Sequence, residues 1–248
     1  MEIKDILNII DHRPFPLSEG PWIMQQTWED LLFAHWKLPR EILEKRIPPT
    51  LEPDTYNGES YIAVTPFKMR DVRFRLLPPI PSATNFLEVN VRTYVKKNGK
   101  PGIYFFSLDA SSTLSAIGAR LGINLPYHIA EMSVTEADGT FNYSSYRKDE
   151  PAELEVSYKP VSEVFESASG SIEEFLTERY CLFQNIGEKR LIEIDIHHLK
   201  WPLQNAVAVF AKNTLARPAG IKLPDEMPLL HFSKSVKAAI WPLKILNI

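Results

Sequence analysis

Several residue types are scarce in this chain, and each scarcity excludes a class of protein. Cys181 is the only cysteine among 248 residues, so neither an intrachain disulfide framework nor a Cys₂His₂-type zinc site can form. Glycine is scarce (10 residues) and proline is frequent (20 residues), a balance that favours rigid loops between strands over flexible linkers. No apolar run approaches the roughly 18 residues that a membrane-spanning helix requires.

The chain also lacks a strong charge of either sign. Its formal net charge is −3, so we expect no long-range attraction to nucleic acid or to anionic lipid, and neither is an expected partner. The N-terminal segment MEIKDILNIIDHR mixes acidic with apolar residues and has no small-residue cleavage site, which argues against a secretory signal. We therefore expect a cytoplasmic protein.

The signatures of several enzyme classes are missing as well. The sequence contains no G-x-G-x-x-G, no G-x-x-x-x-G-K-[ST], no H-E-x-x-H and no G-x-S-x-G, so dinucleotide, P-loop, zincin and α/β-hydrolase interpretations lose their main support. Glu193, Asp195 and His197 alternate in LIEIDIHH and have the spacing of metal ligands, but a solvated strand face explains them equally well. We predict no cofactor and no metal ion.

What the chain does contain is mostly strand patterns. Apolar and alternating segments predict strands in residues 22–36, 60–76, 86–110, 127–147, 151–161, 180–201 and 229–241. Short helices are predicted in residues 3–10, 39–46, 111–122, 171–179 and 206–212. We therefore predict a single domain over residues 1–248 of the α+β class, mainly β, with a curved antiparallel sheet or barrel and a few short helices at its edges.

The segment FLEVNVRTYV, residues 86–95, predicts a strand with two different faces. The odd-numbered positions are apolar or threonine, whereas Glu88, Asn90, Arg92 and Tyr94 point the other way, because successive side chains of a strand alternate. The polar face is either exposed to solvent or lines an enclosed site.

The partner strand favours the enclosed site. Asn98-Gly99 predicts a two-residue hairpin turn, and its register places Glu88 opposite Asp109, Asn90 opposite Ser107 and Arg92 opposite Phe105. The partner strand GIYFFSLDA has apolar residues on both faces, as expected of a strand buried on both sides. We therefore interpret the polar face as the wall of an enclosed cavity in which Arg92 compensates two adjacent carboxylates, with a solvated face as the alternative.

Four segments of the chain resemble a known family. QTWEDLLFAHW, FLEVNVRTYV, GIYFFSLDA and HLKWPLQ together are similar to the YqjF-like bacterial proteins of unknown function, and the resemblance covers nearly the whole chain. It implies the fold of acetoacetate decarboxylase, a curved β-barrel-like domain with an enclosed acidic site, and it strengthens Glu88 as a residue of that cavity.

The resemblance also shows where the chemistry differs. In the decarboxylases a lysine pair follows a proline at this point of the chain, and the first lysine forms a Schiff base with the substrate. Here Tyr127 and His128 occupy the two positions, and neither side chain can form an imine. Acetoacetate decarboxylation by that route is thus not expected.

Two functional hypotheses follow. In the first, the chain binds and transforms a small polar or carboxylated metabolite, with Glu88 or His128 as general base, Tyr127 as hydrogen-bond donor and Arg92 gripping an anion. Further ligand-binding residues would be Asn90, Ser107, Asp109 and His35. In the second, the chain is a non-catalytic binding or structural protein that keeps only the fold. A homo-oligomer is compatible with either hypothesis.

The stretch KMRDVRFRLLPPIP places Arg73 and Arg75 on one strand face. We interpret it as a charged edge strand that discourages aggregation, with the entrance for an anionic ligand as the alternative.

Overall fold

A computed structural model describes residues 2–113, 125–187 and 190–247, apart from the side chains of residues 81, 82 and 247. Within these residues the strands are β1 (Met24–Leu38), β2 (Glu52–Pro53), β3 (Ser60–Phe74), β4 (Phe86–Lys97), β5 (Lys100–Ala110), β6 (Tyr127–Ala137), β7 (Thr140–Arg147), β8 (Glu153–Pro160), β9 (Cys181–Ile186), β10 (Arg190–His198), β11 (Leu203–Asn213), β12 (Leu229–Ile240) and β13 (Lys244–Asn247). The short helices are α1 (Ile3–Ile6), α2 (Arg40–Glu44), α3 (Pro81–Thr84) and α4 (Ile172–Thr177). The helix predicted in residues 111–122 falls largely outside the described residues.

The strands close into two circuits that share one wall. The seven-strand barrel runs β1-β3-β4-β5-β9-β10-β12 and returns to β1. The nine-strand barrel uses the same β12-β1-β3-β4-β5 wall but closes through β6, β7, β8 and β11. Most pairs are antiparallel, and β5 makes short parallel pairings with β6 and β9. The prediction of a mainly β, barrel-like fold is confirmed.

Because side chains alternate along each strand of the shared wall, the two faces of that wall serve two different cores. Phe33, Tyr94 and Leu108 belong to the core cluster that fills the seven-strand barrel. Leu32 and Val91 belong to a second cluster that packs against β7 and β8. A residue on this wall therefore reaches one barrel or the other according to its position along the strand.

The hairpin turns follow local sequence. At Asn57-Gly58, Asn98-Gly99 and Asp138-Gly139 both residues have positive φ, the conformation that a type I′ turn requires and that asparagine, aspartate and glycine tolerate. Ser171 caps α4 by accepting a hydrogen bond from the backbone N–H of Glu174, as its sequence predicts. The predicted turn at Asn98-Gly99 and the predicted helix start at Ser171 are confirmed, because both depend on neighbours in sequence.

Other local predictions are wrong or need refinement. Residues 206–212 form part of β11, not a helix, because this stretch pairs along its length with β8. β3 passes through Pro66 without a break in its pairing with β4, whereas its pairing with β1 shifts register twice, once between Val64 and Lys68. On β1, Asp30 lies within that irregular stretch and has a φ of 51°. Within the described part of the chain, each helix is too short or too polar to cross a bilayer.

Candidate functional site

The polar face of β4 lies inside the seven-strand barrel. Glu88, Asn90 and Arg92 are only 2%, 4% and 8% exposed, although all three carry strongly polar side chains. Phe86 and Tyr94, on the same face, are part of the core that fills this barrel. The alternative interpretation of this face as solvated is therefore wrong.

Arg92 lies in one row with His35 across the barrel wall. His35 pairs with Ala63, and Ala63 pairs with Arg92, so the three side chains share one face. Burial, together with the charges of Arg92 and His231, holds the pKa of His35 well below its usual value, so this imidazole is neutral at pH 7.

The Arg92 guanidinium has no carboxylate partner within 4.0 Å among the described residues. Its hydrogen bond is a long one, 3.5 Å from Nη2 to the carbonyl oxygen of Leu176, and its Nε has no partner in the described protein. The charge lies 5.3 Å from the ring centre of Phe33 and 5.9 Å from that of Tyr94. A buried cation is thus held by aromatic rings, the nearby Tyr94 hydroxyl and one carbonyl, and no carboxylate of the described residues compensates its charge.

Further polar atoms around Phe33 are buried and unpartnered. The Phe33 ring stacks on His35 at 5.7 Å and meets the edge of Trp201 at 4.9 Å, and Phe33 is the ladder partner of His231. The buried atoms here that have no hydrogen-bond partner among the described residues are both ring nitrogens of His35, Thr65 Oγ1, Asn90 Oδ1, Trp201 Nε1, His231 Nδ1 and Ser233 Oγ. Because buried polar atoms in native proteins are rarely left unpaired, this group inside the seven-strand barrel is a candidate functional site.

Glu88 and Tyr127 lie at the other end of the polar face of β4, away from Arg92. The Tyr127 hydroxyl donates to Glu88 Oε2 at 2.7 Å. Burial raises the pKa of Glu88 to about 8; the hydrogen bond from Tyr127 opposes that rise, and the charge of Asp109 adds to it. Burial also raises the pKa of Tyr127 well above its usual value. At neutral pH the pair is therefore largely uncharged, and Glu88 can give or take a proton.

Arg92 does not compensate the charge of Glu88, contrary to the sequence-based expectation. The two residues are four positions apart on one strand, or roughly 13 Å between their Cα atoms. Glu88 is kept in the barrel by losing its charge instead, since a carboxyl group with a pKa of about 8 is mostly protonated at pH 7.

The predicted hairpin register holds only in part. It is correct from Lys97 opposite Lys100 to Arg92 opposite Phe105. A β-bulge at Phe106 then shifts the pairing by one residue. Asp109 consequently lies opposite Val89, and Ser107 lies opposite Val91, on the face that Glu88 and Asn90 do not share. The prediction that Asp109 and Ser107 line the same cavity as Glu88 is wrong, because a shift of one residue reverses every side chain beyond it.

His128 is separated from Glu88 as well. It pairs with Asp109 in the parallel β5–β6 contact, whereas Tyr127 pairs with Leu108. Tyr127 therefore points into the seven-strand barrel, and His128 points to the opposite side of the wall. Of the two residues expected near Glu88, Tyr127 contacts it directly and His128 lies on the other face of the wall.

On that opposite side, the charged groups are paired with one another. Asp109 Oδ1 accepts hydrogen bonds from Arg147 Nη2 at 2.8 Å and Nε at 3.1 Å, and the Arg147 side chain is fully buried. His128 Nδ1 lies 3.1 Å from a carboxylate oxygen of Asp149. Ser107 and His128 line a small pocket of about 140 Å³. This cluster is internally compensated, in contrast to the surroundings of Arg92.

Helix α4 closes one end of the seven-strand barrel. The carbonyl oxygen of Leu176 accepts hydrogen bonds from Tyr94 Oη at 2.9 Å and from Arg92. Phe175 packs against Tyr94 and lies under the guanidinium of Arg179. Phe175 and Arg179 also line a cleft of about 610 Å³. Helix α4 therefore contacts both this cleft and the Arg92 end of the seven-strand barrel.

The residues of LIEIDIHH have structural partners. Atoms of Glu193, Asp195 and Cys181 lie within 4.8 Å of one another. Lys100 Nζ, however, is 2.8 Å from Glu193 and 2.5 Å from Asp195, and Lys244 Nζ is 2.9 Å from Asp195. Two ammonium groups thus occupy the place that a cation would take. Cys181 itself is fully buried.

Sequence reasoning missed several residues of the two polar groups, the one around Arg92 and the one around Asp109. Thr65, Trp201, His231 and Ser233 come from strands or loops far apart in the chain, and Arg147 lies at the end of β7. Only Trp201 carried a signal, as part of the HLKWPLQ motif. The others belong to ordinary strand patterns, and only barrel closure brings them together.

Comparisons with known proteins agree with this fold. A curated protein, the uncharacterized protein YqjF of Bacillus subtilis (strain 168), is 46% identical over 229 residues, which are 92% of this chain and 94% of that protein. Among solved structures, acetoacetate decarboxylase from Legionella pneumophila gives a TM-score of 0.63 at 13% identity, covering 98% of this chain and 95% of that chain.

Two further structures have the same fold. The enduracididine biosynthesis enzyme MppR, complexed with the condensation product of pyruvate and imidazole 4-carboxaldehyde, gives a TM-score of 0.65 at 11% identity and covers 92% of this chain and 90% of that one. An acetoacetate decarboxylase-like enzyme from Sphingomonas wittichii RW1 gives a TM-score of 0.63 at 12% identity, covering 94% of this chain and 96% of that chain. At these identities the likeness concerns the fold alone. The family model for uncharacterized conserved proteins named DUF2071 matches residues 25–237, and the chain therefore belongs to that family of acetoacetate-decarboxylase-like fold.

Proposed function

We propose that this protein binds a small organic anion inside the seven-strand barrel, with Arg92 holding the ligand's carboxylate. The observation that carries the proposal is a buried guanidinium that has no carboxylate partner among the described residues. Burying an uncompensated charge is costly, and a bound carboxylate would offset that cost through paired hydrogen bonds to the planar guanidinium.

The neighbouring groups support an organic rather than an inorganic anion. The rings of Phe33 and Tyr94 flank the guanidinium and provide apolar surface for a carbon skeleton. Asn90, Thr65 and His35 offer hydrogen-bonding atoms that have no partner in the described protein. A small keto, hydroxy or sugar acid satisfies both features. The pyruvate-derived ligand of MppR is consistent with that class, although it concerns a distant relative.

A catalytic role rests on Glu88. A carboxyl group with a pKa of about 8 exchanges protons readily near neutral pH, and Tyr127 is placed to donate a hydrogen bond. Neither position 127 nor position 128 supplies the amine of a Schiff base, so the proposed chemistry is proton transfer without a covalent intermediate. Because Glu88 lies about 13 Å from Arg92 along β4, an extended ligand would be required to reach both. The non-catalytic alternative is a binder that uses Arg92 alone. The proposed location is the cytoplasm.

Thermal-shift screening against keto, hydroxy and sugar acids tests the binding. A true ligand raises the melting temperature of the wild-type protein, and the shift is lost in Arg92→Met because the carboxylate has lost its partner. Arg70→Met is the matched control, since Arg70 pairs with Glu29 at the surface and should leave the shift unchanged. A ligand-induced shift that survives in Arg92→Met would contradict the proposal.

Turnover of any confirmed ligand separates enzyme from binder. If the protein is an enzyme, proton NMR shows conversion or solvent-deuterium exchange of the ligand by the wild type. Glu88→Gln then abolishes that conversion while the thermal shift remains. A ligand that binds but neither reacts nor exchanges assigns the protein to the non-catalytic alternative.

A further inference from the structure

The loop that follows β3 exposes an unusual amount of apolar surface. Leu76 is 95% exposed, and Phe74, Leu77 and Ile80 are each about half exposed or more. Prolines at positions 78, 79 and 81 restrict the loop, so these side chains are displayed by a stiff segment. Residues 74–80 are called the tip loop below. A contiguous exposed apolar group of this kind marks an interaction surface.

The backbone of Leu76 makes the exposure harder to explain within the monomer. Its φ is 69°, a left-handed conformation that glycine or asparagine adopts at much lower cost than leucine. A side chain that is 95% exposed gains almost nothing from burial in return. The left-handed backbone of Leu76 therefore destabilises the folded monomer slightly. Only a contact of its side chain outside the monomer would offset that cost.

The charges next to the tip loop indicate the kind of partner. Residues 72–87 contain no acidic residue, and Arg73 and Arg75 flank the apolar side chains. Arg73 also lies 3.8 Å from Asp71, and Arg75 lies over the ring of Trp22 at 5.2 Å. The arrangement is thus an apolar tip, two guanidinium groups behind it, and a tryptophan at the base. A membrane interface presents the complementary layers: acyl chains, anionic headgroups and a zone favourable to tryptophan.

We propose that the tip loop inserts into the surface of an anionic phospholipid bilayer. Leu76, Leu77 and Ile80 enter the acyl region, and Arg73 and Arg75 contact the phosphates. The net charge of −3 led to the expectation of no membrane partner, but that value averages over the chain, whereas the tip loop is locally basic and apolar. A second copy of the chain is a poorer occupant, since a twofold contact of this loop sets the arginines of both copies against each other.

Cosedimentation of the full-length protein with vesicles tests the proposal. The wild type is expected to sediment with mixed phosphatidylcholine and phosphatidylglycerol vesicles and far less with phosphatidylcholine alone. Leu76→Gly should weaken binding at least about tenfold because the inserting side chain is lost, while its melting temperature stays equal or rises since the left-handed backbone is relieved. The double variant Arg73→Gln/Arg75→Gln should lose the preference for anionic vesicles.

Met227→Gln is the matched control, because Met227 is also a highly exposed apolar residue outside the tip loop and its loss should leave vesicle binding unchanged. Three results would each overturn the proposal. These are no sedimentation of the wild type with anionic vesicles, equal binding of wild type and Leu76→Gly, and a dimer on size-exclusion chromatography that Leu76→Gly dissociates without any vesicle binding. The last result would assign the tip loop to a self-contact.

Discussion

The two faces of the β4–β5 wall hold buried arginines in opposite states. Arg147, on the nine-strand side, is paired with Asp109 by hydrogen bonds of 2.8 and 3.1 Å and with Glu150 by a third. Arg92, on the seven-strand side, has a long hydrogen bond to a carbonyl oxygen and no carboxylate partner among the described residues. Both side chains are removed from water, but only one has its charge compensated by the protein. The difference separates an arginine that the protein's own carboxylates compensate from one that the described carboxylates leave unpaired.

The largest expected effect on stability comes from breaking the Arg147–Asp109 pair on the nine-strand side. Arg147→Met leaves Asp109 as a buried carboxylate without its partner, and we expect a loss of about 3–5 kcal/mol in the free energy of unfolding. Urea denaturation measures it. Adding Asp109→Asn to this variant should recover part of the loss, since the uncompensated charge is then gone. A loss below about 1 kcal/mol would show that the pair does not stabilise this face.

The pH dependence of stability tests the buried carboxyl group of Glu88 on the seven-strand side. The pKa of Glu88 rises from 4.5 to about 8 on folding, so the folded state binds more protons than the unfolded state between these values. Stability is therefore fully present below pH 4.5 and is lost as the pH rises through 8, by on the order of 3 kcal/mol between pH 5 and 8. Glu88→Gln should flatten this part of the profile. An unchanged slope in the variant would mean that Glu88 is not the titrating group.

Arg92→Met is expected to stabilise the ligand-free protein, whereas Arg147→Met is expected to destabilise it. Removing a buried charge that the protein does not compensate should leave the ligand-free protein at least as stable as the wild type, with a gain of about 1 kcal/mol or more. Urea denaturation of the two proteins without ligand checks this result. A destabilisation as large as that of Arg147→Met would erase the contrast between the two arginines.

Tyr127→Phe probes a single hydrogen bond on the same side as Arg92. We expect a loss of about 1 kcal/mol, because Glu88 loses its donor. The same hydrogen bond lowers the pKa of Glu88, so its removal should raise that pKa further above 8. Carbon-13 NMR titration of the Glu88 carboxyl group measures the change, and a decrease would contradict the assigned geometry.

The smallest effect is expected at the solvent-facing edge of the paired side. Partial burial raises the pKa of Asp149, but the hydrogen bond and charge of His128, a backbone hydrogen bond and the charge of Arg147 together outweigh that effect and leave the pKa below its ordinary value. Because about half of the Asp149 side chain is exposed, solvent screens the pair. Asp149→Asn should thus cost less than about 1 kcal/mol. A larger loss in thermal unfolding would place this pair among the structural contacts.

The β4–β5 hairpin shows where sequence reasoning succeeds and where it stops. The alternation in FLEVNVRTYV and the Asn98-Gly99 turn correctly predict the strand, the turn and the register as far as Arg92 opposite Phe105. The burial of Glu88, Asn90 and Arg92 was inferred from the apolar partner strand. The bulge at Phe106 was not predictable, because GIYFFSLDA carries apolar residues on both faces and so looks the same in either register.

The local elements can be predicted from the sequence: strands of mainly β periodicity, hairpin turns at Asn-Gly and Asp-Gly pairs, and a row of polar residues on β4. These features depend on neighbouring residues and on the period of two. Which polar residues meet depends on how distant strands pair. Two barrels share one wall, and β5 has one extra residue at its bulge. Asp109 therefore faces Arg147, whereas Arg92 lies among aromatic rings, because the strands across the barrel set the partners of each side chain.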